Sequence, residues 1–152
     1  MNVGGCKVAT RKIITIENDI LRKRSKEVTK FDENLWDLLD DMKETLEKSG
    51  GVGLASVQVG VLKRAFVINV NNCYLEVINP RIVKSSGSQT GPEGCLSIPG
   101  KQSKVCRPNK ITVEFVDRYN FPMSITTTDF MARAFCHEYD HLDGILYIDH
   151  TK

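Results

Sequence analysis

The segment His137-Glu138-Tyr139-Asp140-His141 gathers the residue types best suited to chemistry in this chain. In a helix, positions four apart advance by about 400°, so His137 and His141 return to nearly one face and can share a divalent ion. Glu138 lies about 100° round from His137, beside such an ion rather than on it, where a carboxylate can carry a proton. Hydrolytic metal centres usually take three protein ligands and keep one corner open for water. Two imidazoles are one ligand short.

Upstream, Glu93-Gly94-Cys95-Leu96-Ser97 offers a thiol beside a glycine, shortly before Pro99. Spacing alone ranks Cys95 no higher than Cys106 or Cys136, although Cys136 points about 100° away from His137 on the helix. One thiolate and two neutral imidazoles would leave a divalent ion with a net charge of about +1, still able to acidify water. The run Gly50-Gly51-Val52-Gly53-Leu54-Ala55-Ser56-Val57-Gln58 is a third feature. Its glycines let backbone approach a ligand closely, and Gln58 can donate to a developing oxyanion. On its own, a glycine-rich stretch after a helix is more often only a turn.

These residues need elements to position them. A helix is expected from about Thr128 to Leu142, with threonines and Asp129 at its start and Gly144 just past its end. An amphipathic helix is expected over Asp32–Lys48, where Leu35, Leu38, Leu39, Met42 and Leu46 form one stripe. Asp32 is its natural N-cap, and Gly50 and Gly51 stop it. Between the helices, Ala65–Val70 and Tyr74–Ile78 read as a hairpin turning at Asn71 and Asn72. Arg81–Lys84 reads as a further strand beyond Pro80. Ile111, Val113 and Phe115 alternate with polar neighbours, and Met123–Thr127 can pair with them across Asp117–Phe121. Helix, strands, helix is an α+β order.

The 152 residues fit a single domain, residues 1–152, with no repeat or linker to divide them. Lys plus Arg number 21 against 19 Asp plus Glu, a balance that gives no reason to expect nucleic-acid or membrane binding. No apolar run approaches the roughly 20 residues that span a bilayer. Met1–Arg11 lacks the apolar core of a secretory signal and is too short and too poor in serine and arginine for an organelle leader, so a cytoplasmic location is expected. Five irregularly spaced cysteines argue for thiols rather than a disulfide framework.

Taken together and in order, GVGLASVQ, EGCLS and HEYDH resemble the peptide deformylase family, whose pattern is GxGLAxxQ, EGCLS and HExDH. The likeness extends from ILRKRSKEVTKFDENL to HLDGILYID. It implies an α+β fold of two main helices, with antiparallel sheets packed around the C-terminal HExxH helix. It implies a metal-dependent hydrolase that removes the N-terminal formyl group from N-formyl-methionyl nascent polypeptides and releases formate. By similarity Cys95, His137 and His141 hold the metal. Glu138 serves as general base and then general acid, and the Gln58 amide and Leu96 N–H hold the oxyanion. The peptide is expected to pair its backbone near Val52, Gly53 and Gly94. Its methionine would enter a pocket of Phe130, Arg133 and Ala134, with the Arg133 stem in the pocket and its head in solvent.

Arg107 and Asp140 are expected to brace the ligands. The implied metal is Fe²⁺ in the cell, with Zn²⁺, Ni²⁺ or Co²⁺ in isolated protein, whereas ligand chemistry alone favours zinc. The nascent-chain substrate implies transient ribosome association. The sequence departs from the family at Ser56, Val57, Cys136 and Gln102, the last standing where many members carry a substrate-contacting arginine. The chain stops soon after Asp149, so the extra C-terminal helix of longer members is expected to be absent.

Two other readings use the same residues. A zinc peptidase would recruit a third ligand downstream of the helix, where little sequence remains. A structural metal module would close its site with a fourth ligand such as Cys106, leaving Glu138 and Gln58 idle.

Overall fold

The computed structural model describes residues 8–151, so Met1–Lys7 (with Cys6) and Lys152 lie outside the described residues. Helix α1 spans Glu33–Ser49, and the Asp32 carboxylate caps it by accepting from the Leu35 N–H at 3.3 Å. Gly50 ends it in the left-handed region at φ 74°, which costs glycine little. The stripe of Leu35, Leu38, Leu39, Met42 and Leu46 is buried as expected.

Seven strands follow: β1 Gly53–Ala55, β2 Ala65–Val70, β3 Cys73–Ser86, β4 Gln89–Cys95, β5 Ile98–Arg107, β6 Lys110–Val116 and β7 Pro122–Thr128. Helix α2, Asp129–His141, comes after them, and a short 3₁₀ turn covers Tyr147–His150. Five strands form an antiparallel sheet in the order β1-β2-β3-β6-β7, while β4 and β5 form a separate antiparallel hairpin. Among the described residues no helix is long and apolar enough to cross a membrane.

The β2–β3 hairpin turns at Asn71 and Asn72, both at positive φ (52° and 65°), the pattern of a two-residue turn that matches strand twist. Arg81–Lys84 is not the separate strand that Pro80 suggested. β3 runs through the proline, and its register with β6 shifts between Ile78 and Arg81 and again between Ile82 and Lys84. Proline lacks the N–H that a regular ladder needs, and the irregularity absorbs that loss. Asn79, at φ 51°, ties the same point to the N-terminal segment by bonding the Val28 N–H and C=O, both at 2.9 Å. The β4–β5 hairpin was not foreseen, because Gly91, Pro92, Gly94, Pro99 and Gly100 hide any strand-like alternation.

Strand β2 shows why the helices sit where they do. Phe66, Ile68 and Val70 pack into one cluster with Ala132, Phe135 and Cys136 of α2. Ala65 and Val67 pack into another with Leu35, Leu39 and Met42 of α1. With a helix on each face, the strand is apolar at every position but Asn69 rather than alternating. Phe135 anchors α2, its ring meeting Phe66 edge-on at 4.9 Å and Phe115 at 6.5 Å. Arg64 donates to the Leu142 carbonyl at 3.0 Å, placing a buried cation at the negative end of α2.

Phe130 and Phe135 sit on the same helix with opposite fates, 50% and 0% exposed. Phe135→Ala is expected to cost about 3–5 kcal/mol in denaturant unfolding, and Phe130→Ala to stay within about 1 kcal/mol. Equal losses would contradict this packing.

Candidate metal centre

Helix α2 delivers His137 and His141 on one face, their ring centres 5.2 Å apart. Cys95 arrives from the end of β4, and its Sγ lies 3.4 Å from His141 Nε2. One ligand atom from each of the three falls within 4.8 Å of the others. Among the described residues no fourth His, Cys, Asp or Glu joins this group. Cys106 is exposed on β5, and Cys136 is buried in the face of α2 that packs on the sheet. Burial pushes the Cys136 thiol up to about 11, so it behaves as a packing residue.

Cys95 reaches the histidines because its hairpin is bent and pinned. The β4–β5 register shifts between Glu93 and Cys95, which re-aims the strand end, and Cys95 then pairs with Ile98. Ile98 and Val105 pack with Leu146 and Tyr147, and the Tyr147 ring stacks over His137 at 6.1 Å.

Glu93 is the larger tie, and sequence reasoning gave it no role. Arg107 grips both its oxygens, through Nε and Nη2 at 2.9 Å each. Arg133 Nη1 lies at 2.6 Å and His137 Nδ1 at 3.0 Å. Arg107 also donates to Asp140 at 2.6 Å, so the expected Arg107–Asp140 pair exists within a wider network. The Arg133 head does not reach solvent. It is 5% exposed and turned onto Glu93 and the Val105 carbonyl, because a buried carboxylate needs a counter-charge. The signal for Glu93 was its place in the cysteine motif two residues before Cys95.

Burial and hydrogen bonding set the charge states around the ligands. Burial raises the Glu93 carboxyl, but hydrogen bonds from Arg107 and His137 outweigh it and hold it down at about 2. Burial lowers His137, but hydrogen bonds to Cys95 and Glu93 override it and carry the ring up to about 10. His141 is pushed well below its ordinary value, by burial first and then by His137 and Arg107, so it stands as a neutral imidazole. Since Glu93 takes Nδ1 of His137, Nε2 is left for an ion, the usual way a carboxylate fixes a ligating histidine. A thiol and two imidazoles converging on one point fit a divalent metal.

Glu138 is buried, and one of its oxygens, Oε1, has no hydrogen-bond partner among the described residues. Burial pushes its carboxyl up to about 7, with His137 opposing and Glu93 adding. Its other oxygen lies against Gly53, where a Cβ would come within 2.6 Å. Gln58, in a 3₁₀ turn over Ser56–Val59, is oriented by the Ala55 N–H, which donates to its Oε1 at 2.9 Å. Its amide nitrogen therefore faces Ser97 Oγ at 3.1 Å and Cys95 Sγ at 3.6 Å. The N-terminal segment secures both loops, since Ile14 N–H donates to the Gln58 carbonyl and Ile16 N–H to that of Ser97.

A cavity of about 820 Å³ opens over these groups. Val52, Gly53, Gly94, Phe130, Arg133 and Ala134 all line it, as do Leu96, Gln58 and Gln102. Val52 and Phe130 stand exposed at its mouth, whereas Ala134 is buried. His141 lies beneath it, 1% exposed.

A family model described as polypeptide deformylase matches residues 10–152. A peptide deformylase of Caldicellulosiruptor bescii is 50% identical over 142 residues, covering 93% of this chain and 86% of the relative. One from Caldanaerobacter subterraneus subsp. tengcongensis is 48% identical, covering 93% and 89%. The crystal structure of peptide deformylase from Thermotoga maritima superposes with a TM-score of 0.92 at 39% identity, covering 94% of this chain and 98% of that one. The Ehrlichia chaffeensis peptide deformylase in complex with actinonin gives 0.92 at 36% identity, covering 95% and 90%.

Metal analysis of purified variants checks the ligand set. Cys95→Ala and His137→Ala are each expected to lose the stoichiometric divalent ion, and Cys106→Ala to retain it. A Cys95→Ala protein that keeps its ion would remove the sulfur from the site.

Proposed function

The chain belongs to the polypeptide deformylase family, and on that premise we propose which of its residues do the work. It is a hydrolase that removes the formyl group from the N-terminus of nascent peptides, in a family that depends on a metal. Cys95, His137 and His141 hold the metal. Their convergence within 4.8 Å beside an enclosed Glu138 carries this reading. When bound, a divalent ion supplies Lewis acidity, lowering the pKa of water and drawing charge from the formyl oxygen.

The protein's own groups do the rest. Glu138 accepts a proton from the attacking water, and a carboxyl poised near neutrality suits that exchange. Water oxygen bonds to the formyl carbon, and the carbonyl electrons move onto its oxygen. Gln58 Nε2 and the Leu96 N–H donate to that oxyanion. When the C–N bond breaks, Glu138 returns the proton to the departing amine, leaving formate and a free N-terminus. The substrate lies extended along β1, one of the two edge strands of the five-stranded sheet. Asn69 N–H already pairs with the Val52 carbonyl from the β2 side at 2.7 Å. The opposite edge of β1, with Gly53, and Gly94 across the cleft then take the peptide backbone by strand addition. Phe130, Ala134 and the Arg133 stem receive the methionine side chain.

Residues 1–152 act as one catalytic domain, because α2 and strands of both sheets supply the site. Fe²⁺ is the metal in the cell, and Zn²⁺, Ni²⁺ or Co²⁺ replaces it in isolated protein, since iron beside a thiolate is open to oxidation. A nascent-chain substrate implies work in the cytoplasm with passing contact to the ribosome.

Anaerobic formate release from formyl-methionyl peptides tests this. Glu138→Ala is expected to lower kcat by about 10²- to 10⁴-fold while keeping its metal. Gly53→Ala, which forces the carboxylate aside, is expected to lose more than about tenfold, again with metal retained. Full rate in Glu138→Ala would take the proton from that residue, and no formate from wild type with any divalent ion would overturn the reading.

A further inference from the structure

Among the described residues, four charged side chains besides the histidine line the cleft: Glu93, Glu138, Lys101 and Arg133. Three of them are committed. Glu93 and Arg133 neutralise each other at 2.6 Å, and Glu138 is enclosed against Gly53 as the proton carrier. Lys101 is exposed and has no ion-pair partner among the described residues. It sits on β5 across the hairpin from Gly94, where an added Cβ would stand 3.3 Å from the Lys101 carbonyl oxygen. Its neighbour Gln102 lines the same wall and adds no charge. Among the described residues, a peptide running past Gly94 therefore meets one free cation and no free anion.

We propose that Lys101 makes this enzyme select among formylated peptides by charge, favouring a carboxylate downstream of the formyl-methionine and disfavouring lysine or arginine there. The inference rests on the deformylase reading above. The carboxylate is an acidic side chain of the peptide or the free C-terminus of a short one. The interaction is solvent-accessible, so its effect is about two- to fivefold in kcat/KM, and salt weakens it.

The test measures kcat/KM for formyl-methionyl tripeptides carrying Asp, Ala or Lys downstream, each with a free or an amidated C-terminus, at low and high salt. Wild type is expected to favour the Asp peptide over the Lys peptide, the free terminus over the amide, or both, with the contrast shrinking in salt. The pair of peptides that shows the contrast identifies the source of the carboxylate. Lys101→Met is expected to flatten the preference and Lys101→Glu to reverse it. Lys110→Glu makes the same change in net charge on β6, outside the cleft lining, and is expected to keep the wild-type preference. Equal kcat/KM across the series, an unchanged preference in both Lys101 variants, or an equal shift in Lys110→Glu would overturn the proposal. No formate from the uncharged amidated peptide would instead sink the deformylase reading itself.

Discussion

Among the described residues the β4–β5 hairpin belongs to no larger sheet, yet it must hold Cys95 against two histidines on α2. A lone two-stranded hairpin is marginal in water, so side-chain ties have to fix it. Two kinds do so. Ile98 and Val105 share a small apolar cluster with Leu146 and Tyr147. Glu93, two residues before the cysteine, is bound by Arg107 from β5 and by Arg133 and His137 from α2. That single carboxylate joins both strands of the hairpin to the helix.

Burying such a network is costly in desolvation, and apolar replacements are often as stable. Its value here is geometric. Glu93 occupies Nδ1 of His137, so the ring's remaining nitrogen is aimed and its tautomer fixed. Arg107 carries the same chain of contacts to Asp140, one residue before His141. His137 is thus set directly by this hydrogen-bonded unit and His141 only through its helical neighbour Asp140, and removing one partner would strand a buried charge. On the opposite side, Gly53 leaves room for the Glu138 carboxylate and Ile14 and Ile16 anchor the loops of Gln58 and Ser97. Glu138 and Gln58 are therefore positioned by close contacts with backbone.

The helices were legible in the sequence because their signals are local. The α1 stripe, the caps at Asp32 and Gly50, and the i, i+4 histidines all fall within a few turns. The Asn71-Asn72 turn and the β6–β7 alternation were equally plain. What escaped was non-local or masked. Glycine and proline concealed β4 and β5, and β1 read as part of a glycine-rich turn. Spacing could not single out Cys95 from Cys106 and Cys136; the EGCLS resemblance did that. Glu93 draws its partners from 14, 40 and 44 residues away, a separation no periodicity records. The inward turn of Arg133 followed from the same hidden charge.

X-ray absorption spectroscopy at the edge of the bound metal counts ligand types without reference to turnover. One sulfur and two imidazole nitrogens from the protein are expected, with the remaining coordination from light solvent atoms. A spectrum with no sulfur, with two sulfurs, or with a fourth protein ligand would contradict this ligand set.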